Sequence, residues 1–83
     1  MPIPLSDAPE GVELQVVAVD ARGWGRIRRL LEIGLTPGTR IRIVSRAPGP
    51  IIVEVRGTRF ALGRGHARRV LVEVLGSGRG ARV

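Results

Sequence analysis

An enzyme needs a nucleophile, a general base or a metal site, and this sequence holds little that could supply one. Its 83 residues contain a single histidine, His66, and no cysteine. The seven carboxylates stand singly along the chain, with no acidic pair placed for general acid–base work. An iron or zinc site wants several His, Cys or carboxylate groups converging on one point, which these spacings do not readily provide. His66, between Gly65 and Ala67, therefore reads as a surface turn residue. The glycines do not change this. Gly23-Trp24-Gly25 and Gly63-Arg64-Gly65 lack both the strand-to-helix phosphate fingerprint and the Lys-Ser/Thr pair of a P-loop. The expectation is a chain with no catalytic residue, metal ligand or cofactor, and no enzymatic activity.

Charge is the next source of chemistry. The net charge is +7, and all 14 basic residues are arginine; lysine, asparagine and tyrosine are missing as well. Two readings stand side by side. A basic balance suits an anionic partner such as nucleic acid, a membrane surface or an acidic protein. Alternatively, arginine excess reflects GC-rich codon usage and depletion of labile residues, and the scatter of the arginines along the chain fits that reading. A small barrel that binds single-stranded nucleic acid combines a basic groove with stacking aromatics. Only Trp24 and Phe60 are available here, and Phe60 belongs to the core in the strand reading below. The same count argues against a groove for proline-rich peptides.

The elements that must position these residues centre on Trp24 through Val44, WGRIRRLLEIGLTPGTRIRIV. Ile27, Leu30, Leu31 and Gly34 recur at i, i+3, i+4 and i+7, which predicts an amphipathic helix with those residues facing inward. Gly34 stands where such a helix ends and can take the left-handed conformation, letting Leu35 fold back onto Leu30 in a Schellman-type stop. Thr36-Pro37-Gly38-Thr39 then predicts a type II turn, with proline at the second position and glycine at the third. Residues 39–46 follow as an alternating strand, Ile41 and Ile43 against Arg40 and Arg42.

Before that unit, Pro2, Pro4 and Pro9 keep the first ten residues extended or turning, with Leu5 as the apolar anchor. Residues 12–19 form the first predicted strand, Val12, Leu14 and Val16 on one face, Glu13, Gln15 and Val17 on the other. Asp20 is a candidate cap for the helix. After a rigid Ala47-Pro48-Gly49-Pro50 loop, residues 51–55 and 59–62 predict a hairpin turning at Gly57-Thr58, which pairs Val55 with Phe60 and Val53 with Leu62. Ile51, Val53, Val55, Phe60 and Leu62 then share the core face. Residues 63–68 predict a turn or single helical turn, 70–75 a closing strand, and 76–83 a flexible Gly/Arg tail. The fold class is mainly β: a small barrel of about five strands, with one short helix inserted after the first. A single domain spans residues 1–75. No apolar run approaches the eighteen or so residues of a membrane span, and the N-terminal stretch lacks the pattern of a signal peptide, so a soluble cytoplasmic domain is expected.

The motifs resemble those of the FeoA family, the small ferrous iron transport protein A. Leu30 with Leu31-Glu32-Ile33-Gly34-Leu35-Thr36-Pro37-Gly38-Thr39 is similar to the family's helix-stop-turn signature. Ala47-Pro48 and Pro50-Ile51, then Gly57 with Ala61-Leu62, then Ala67 with Val70 and Val72, fit the segments that follow it. Leu5, Gly11, Val16 and Val19 fit its opening. The resemblance implies an SH3-like β-barrel and a non-enzymatic role in bacterial Fe(II) uptake. It implies as partner the cytosolic, GTPase-containing part of a FeoB-type membrane transporter, through which the chain would reach the membrane. The arginine excess and the Gly-Arg tail depart from many relatives. The second function class is a basic small-barrel module that binds single-stranded nucleic acid or another protein.

Leu30, Leu31, Gly34, Leu35, Pro37, Gly38, Gly57 and Ala67 are explained as core, stop and turn residues. Arg26, Arg28 and Arg29 are less easily explained, because cations in the first turns oppose the helix dipole at a few tenths of a kcal/mol each. With Ile27, Leu30 and Leu31 inward, the helical wheel places Arg26, Arg29 and Ile33 on one outward flank, a basic rim beside an aliphatic. Trp24, near the edge of the apolar face, is either a core residue or a partner anchor. Trp24, Arg26, Arg29 and Ile33 are accordingly the candidate partner-binding residues.

Overall fold

The computed structural model describes residues 1–20, 24–46 and 48–77, apart from the side chains of residues 24–27 and 77. Within that range the chain runs β1 (Ile3–Pro4), a 3-10 turn (Leu5–Asp7), β2 (Val12–Val19), α1 (Trp24–Ile33), β3 (Arg40–Ser45), β4 (Ile51–Val55), β5 (Thr58–Leu62), α2 (Arg64–Ala67) and β6 (Val70–Ser77). The strands form one antiparallel sheet in the order β1-β6-β2-β3-β4-β5. The mainly β architecture with a helix after the first long strand is as expected, whereas the strand number is six. The additional strand is β1, two residues long, whose Pro4 suits only a sheet edge because it has no N–H to donate. The hydrogen-bonded ladder is therefore not closed: β1 and β5 are its two ends.

The core lies on one side of this sheet, and its buried residues are wholly aliphatic, with no buried polar or charged residue among those described. Leu5 anchors the N-terminal segment at 0% exposure, Leu14 and Val16 come from β2, Ile41 and Ile43 from β3, and Ile51, Val53 and Val55 from β4. Leu62, Ala67, Val70 and Val72 complete it from the far half of the chain. In β3 and β4, buried and more exposed residues alternate, as the period of two demands. Two bulges break the β2–β6 ladder. Val16 faces Val72 while Ala18 faces Leu71, leaving Val17 as an extra residue; Glu13 faces Gly76 while Leu14 faces Val74, leaving Leu75 extra. A bulge redirects a side chain, and Val17 and Leu75 are among the exposed large aliphatics.

The α1 C-terminus forms the expected stop. Gly34 has φ +100°, its amide donates to the Leu31 carbonyl at 3.0 Å, and the Leu35 amide donates to the Leu30 carbonyl at 3.0 Å. This is the double hydrogen bond of a Schellman motif, and Leu30 and Leu35 are both fully buried in the core. The type II turn follows: Gly38 has φ +95° and the Thr39 amide donates to the Thr36 carbonyl at 3.1 Å. That turn is also tied to β2, because the Gly38 amide donates to the Val16 carbonyl and the Val16 amide to the Thr39 carbonyl.

Three expectations need correction. The helix faces inward through Leu30 and Ile33, 6% exposed, whereas Leu31 is 46% exposed. Leu30 and Ile33 are an i, i+3 pair that continues into Leu35, so the Schellman fold-back rotates the buried stripe away from Leu31. The hairpin turns at Arg56-Gly57, not Gly57-Thr58: Val55 faces Thr58, Glu54 faces Arg59 and Val53 faces Phe60. Arg56 and Gly57 both have positive φ, 53° and 83°, as a two-residue type I′ turn requires. The partner of each β5 residue shifts by two, which preserves its face. Leu62 is still buried, and Phe60 is half-buried against the core. Finally, β6 runs through Ser77, so Gly76 and Ser77 belong to the sheet. The rest of the expected tail, residues 21–23 between the candidate cap Asp20 and α1, and Ala47 lie outside the described residues.

Two pairs of substitutions test this account by urea unfolding. Gly34→Ala should lose about 1 kcal/mol from backbone strain, and Gly34→Val more. Space is not the reason, because an added Cβ would sit at an ordinary 3.6 Å from a Val55 methyl. Gly65→Ala, in α2 with open space around it, should be neutral or slightly stabilising. Similar losses at both glycines would refute the stop. On the helix, Ile33→Ala should cost roughly 2–4 kcal/mol and Leu31→Ala under about 0.5. The reverse order would restore the face expected from the sequence.

Candidate functional site

Convergent polar groups are sparse. Among the described residues no three His, Cys, Asp or Glu side chains come together as a metal-binding set. His66 sits in the short α2, half-buried, with its backbone amide on the Gly63 carbonyl. Asp20 is drawn to the turn before β6, where its amide donates to the Arg69 carbonyl and its carboxylate stands 4.0 Å from the Arg69 guanidinium. What remains as chemistry is surface charge placed on rigid elements.

One such surface is the solvent face of α1. Arg28 pairs with Glu32 one turn on, at 3.6 Å, which leaves little net charge at the middle of that face. Arg29 lies to one side, exposed and with no ion pair among the described residues. Leu31 lies to the other side. Of the four candidate partner-binding residues, the structure leaves Arg29 on the surface and moves Ile33 into the core; Leu31 is the exposed aliphatic instead. The side chains of Trp24 and Arg26 lie outside the described residues, although both residues are within α1.

A second surface is the outer side of the sheet around β3, β4 and the hairpin. Glu13, Arg40, Ile41, Arg42, Glu54, Arg56 and Gly57 line a shallow open cleft of about 210 Å³. Arg40 reaches Glu13 at 3.5 Å across the strands. Arg42 and Arg56 project there without an ion pair among the described residues. Sequence reasoning did not single out this surface, because the pairing of Glu13, Arg42 and Glu54 appears only once the strand order is known.

The structural motif residues behave as chemistry predicts, apart from Leu31. Gly34 and Gly38 supply the positive φ of stop and turn, Leu30 and Leu35 the packing, and Pro37 is exposed beside Gly38. Gly57 supplies the second residue of the hairpin turn, and Ala67, the last residue of α2, is fully buried. Arg46 has a role no spacing announced. Its guanidinium donates to the Ala8 and Ser6 carbonyls, and its amide to the Glu10 carboxylate, so it ties the 3-10 turn to the end of β3.

Comparison with known proteins agrees with this fold. The FeoA domain model matches residues 3–74. A Methanocaldococcus jannaschii protein named, provisionally, Fe(2+) transport protein A is 37% identical over 70 residues, which cover 84% of each chain. A crystal structure of an iron uptake regulatory protein, FeoA, superposes with a TM-score of 0.81 at 42% identity, over 90% of this chain and 100% of that one. Stenotrophomonas maltophilia FeoA, crystallised with zinc and described as a procaryotic SH3 domain protein, gives 0.74 at 35% identity, over 88% and 89% of the two chains. A helix-stop-turn unit feeding a small SH3-like sheet, matched over nearly its whole length by ferrous iron transport proteins, places this chain in the FeoA family.

Proposed function

We propose that this chain is a cytoplasmic accessory protein of ferrous iron uptake that binds the cytosolic, GTPase-containing part of a FeoB-type transporter and modulates it. The observation that carries the reading is family membership across residues 3–74. One further fact supports action by binding: α1 leaves an aliphatic residue and a cation, Leu31 and Arg29, exposed on its surface. No described helix is long and apolar enough to cross a membrane; in this reading, contact with the membrane is made by the partner. The Stenotrophomonas maltophilia relative is described as a candidate activating factor of bacterial ferrous iron transport, which favours stimulation over inhibition.

The α1 face is the proposed contact. Leu31 offers an exposed anchor and Arg29 an exposed cation for an acidic surface, and Arg26, also within α1, is the second cation proposed for that contact. Rim charges act through screened attraction, so affinity should fall as salt rises. In calorimetry against the transporter's cytosolic part, Arg26→Glu with Arg29→Glu should weaken binding at least tenfold, and Leu31→Ala severalfold, with circular dichroism unchanged. Arg64→Glu with Arg68→Glu, both exposed in or beside α2, changes net charge equally at another place and should bind like the wild type. Equal weakening by both double variants would reduce the effect to overall charge and remove α1 as the site. Tighter binding to a single-stranded RNA control than to the transporter part would support the nucleic-acid module instead.

A further inference from the structure

The sheet has two ends, and they are not alike. β1 is two residues long and contains proline, a poor template for further pairing. β5 is five residues, Thr58-Arg59-Phe60-Ala61-Leu62, with no proline, and among the described residues it pairs only with β4. In a two-residue hairpin the residues flanking the turn, Val55 and Thr58, form a hydrogen-bonded pair. Thr58, Phe60 and Leu62 therefore direct their N–H and C=O toward β4, and Arg59 and Ala61 direct theirs away from the sheet. Among the described residues neither Arg59 nor Ala61 makes a backbone hydrogen bond beyond the ladder, and both are exposed.

Charge along one rung says what would fit there. Glu13 on β2 faces Arg42 on β3, Arg42 faces Glu54 on β4, and Glu54 faces Arg59 on β5. The signs alternate across four strands and stop at a cation with no ion pair among the described residues. A fifth strand would continue the rung with a carboxylate opposite Arg59. One position along, its side chain would meet half-buried Phe60 on the core side, which calls for an apolar residue.

We propose that the free edge of β5 takes up an extended segment of a partner protein in which acidic and apolar residues alternate. The added strand pairs its backbone with Arg59 and Ala61, and sets a carboxylate beside Arg59 and an aliphatic side chain beside Phe60. A nucleic-acid strand fits less well, because Glu13 and Glu54 are interleaved with the arginines and no aromatic ring is presented on the charged face. The inference does not depend on which protein supplies the segment, and the transporter reading stands or falls separately on the α1 face.

The test is a nitrogen-15 NMR titration of the full chain with a capped nine-residue peptide alternating glutamate and valine. The Arg59 and Ala61 amides should shift and exchange with solvent at least tenfold more slowly. Arg59→Glu should weaken binding at least tenfold, and a lysine–valine peptide should then bind that variant better than it binds the wild type. Methylating alternate peptide nitrogens should abolish the interaction, since it removes the donors a new strand needs. The proposal is overturned if the peptide does not bind, if its shifts map to α1 or elsewhere away from β5, or if the methylated peptide binds equally well. It is also overturned if oligouridylate displaces the peptide and binds the same residues more tightly. In those cases Arg59 serves only to keep the edge from pairing.

Discussion

At Gly34 the backbone turns left-handed, and the Leu35 amide reaches back to the Leu30 carbonyl. That one reversal sets three things together. It ends α1, it drives Leu30 and Leu35 into the core side by side, and it aims the chain at Pro37-Gly38. The turn there is held on both sides, by the Thr36–Thr39 hydrogen bond within it and by the Gly38 and Val16 bonds to β2. The Thr36 and Thr39 hydroxyls also meet across it at 3.1 Å. Helix, turn and sheet are thus coupled through backbone groups, and the exposed face of α1 inherits its orientation from them. A small aliphatic core without disulfides depends on such local coupling, because little else limits the freedom of the connecting segments.

The arginines divide into two populations once the fold is known. Arg46 ties down the N-terminal turn, Arg69 pairs with Asp20, Arg28 with Glu32 and Arg40 with Glu13. The exposed pairs among these, Arg28–Glu32 and Arg40–Glu13, contribute little stability each. Arg29, Arg42, Arg56, Arg59, Arg64 and Arg68 have no such partner among the described residues, and all six are exposed. Four of the six fall on the solvent face of α1 and on the outer side of β3 and the hairpin, the two surfaces from which binding is argued, while Arg64 and Arg68 stand in or beside α2.

How much of this was legible in the sequence follows from which interactions are local. The helix stop and the type II turn were readable because glycine and proline encode backbone dihedrals within four residues of one another. The core faces of β3 and β4 were readable because alternation survives any shift of register by two. The hairpin turn was misplaced for a specific reason: Arg56 takes a φ of 53°, a conformation that arginine rarely occupies. Nothing in its own chemistry announces that, and the tertiary fit of Val53 to Phe60 enforces it. Leu31 and Ile33 exchanged roles because both fit an amphipathic pattern with Leu30, and only the fold-back at Leu35 decides between them. β1 was hidden by prolines that normally argue against a strand. The candidate surfaces were legible only as residue types, since the rung from Glu13 to Arg59 joins four strands.

Native-state amide hydrogen exchange tests the coupling at Gly34 most directly. If stop, turn and sheet form one cooperative unit, the Leu35, Gly38 and Val16 amides open only with the whole domain. Their opening free energies should then fall within about 1 kcal/mol of those for Val53 and Val72 in the core strands. Contradiction would come from Leu35 and Gly38 exchanging several kcal/mol more easily than the core strands. The helix and its turn would then open independently of the sheet, and the α1 face could not take its orientation from it.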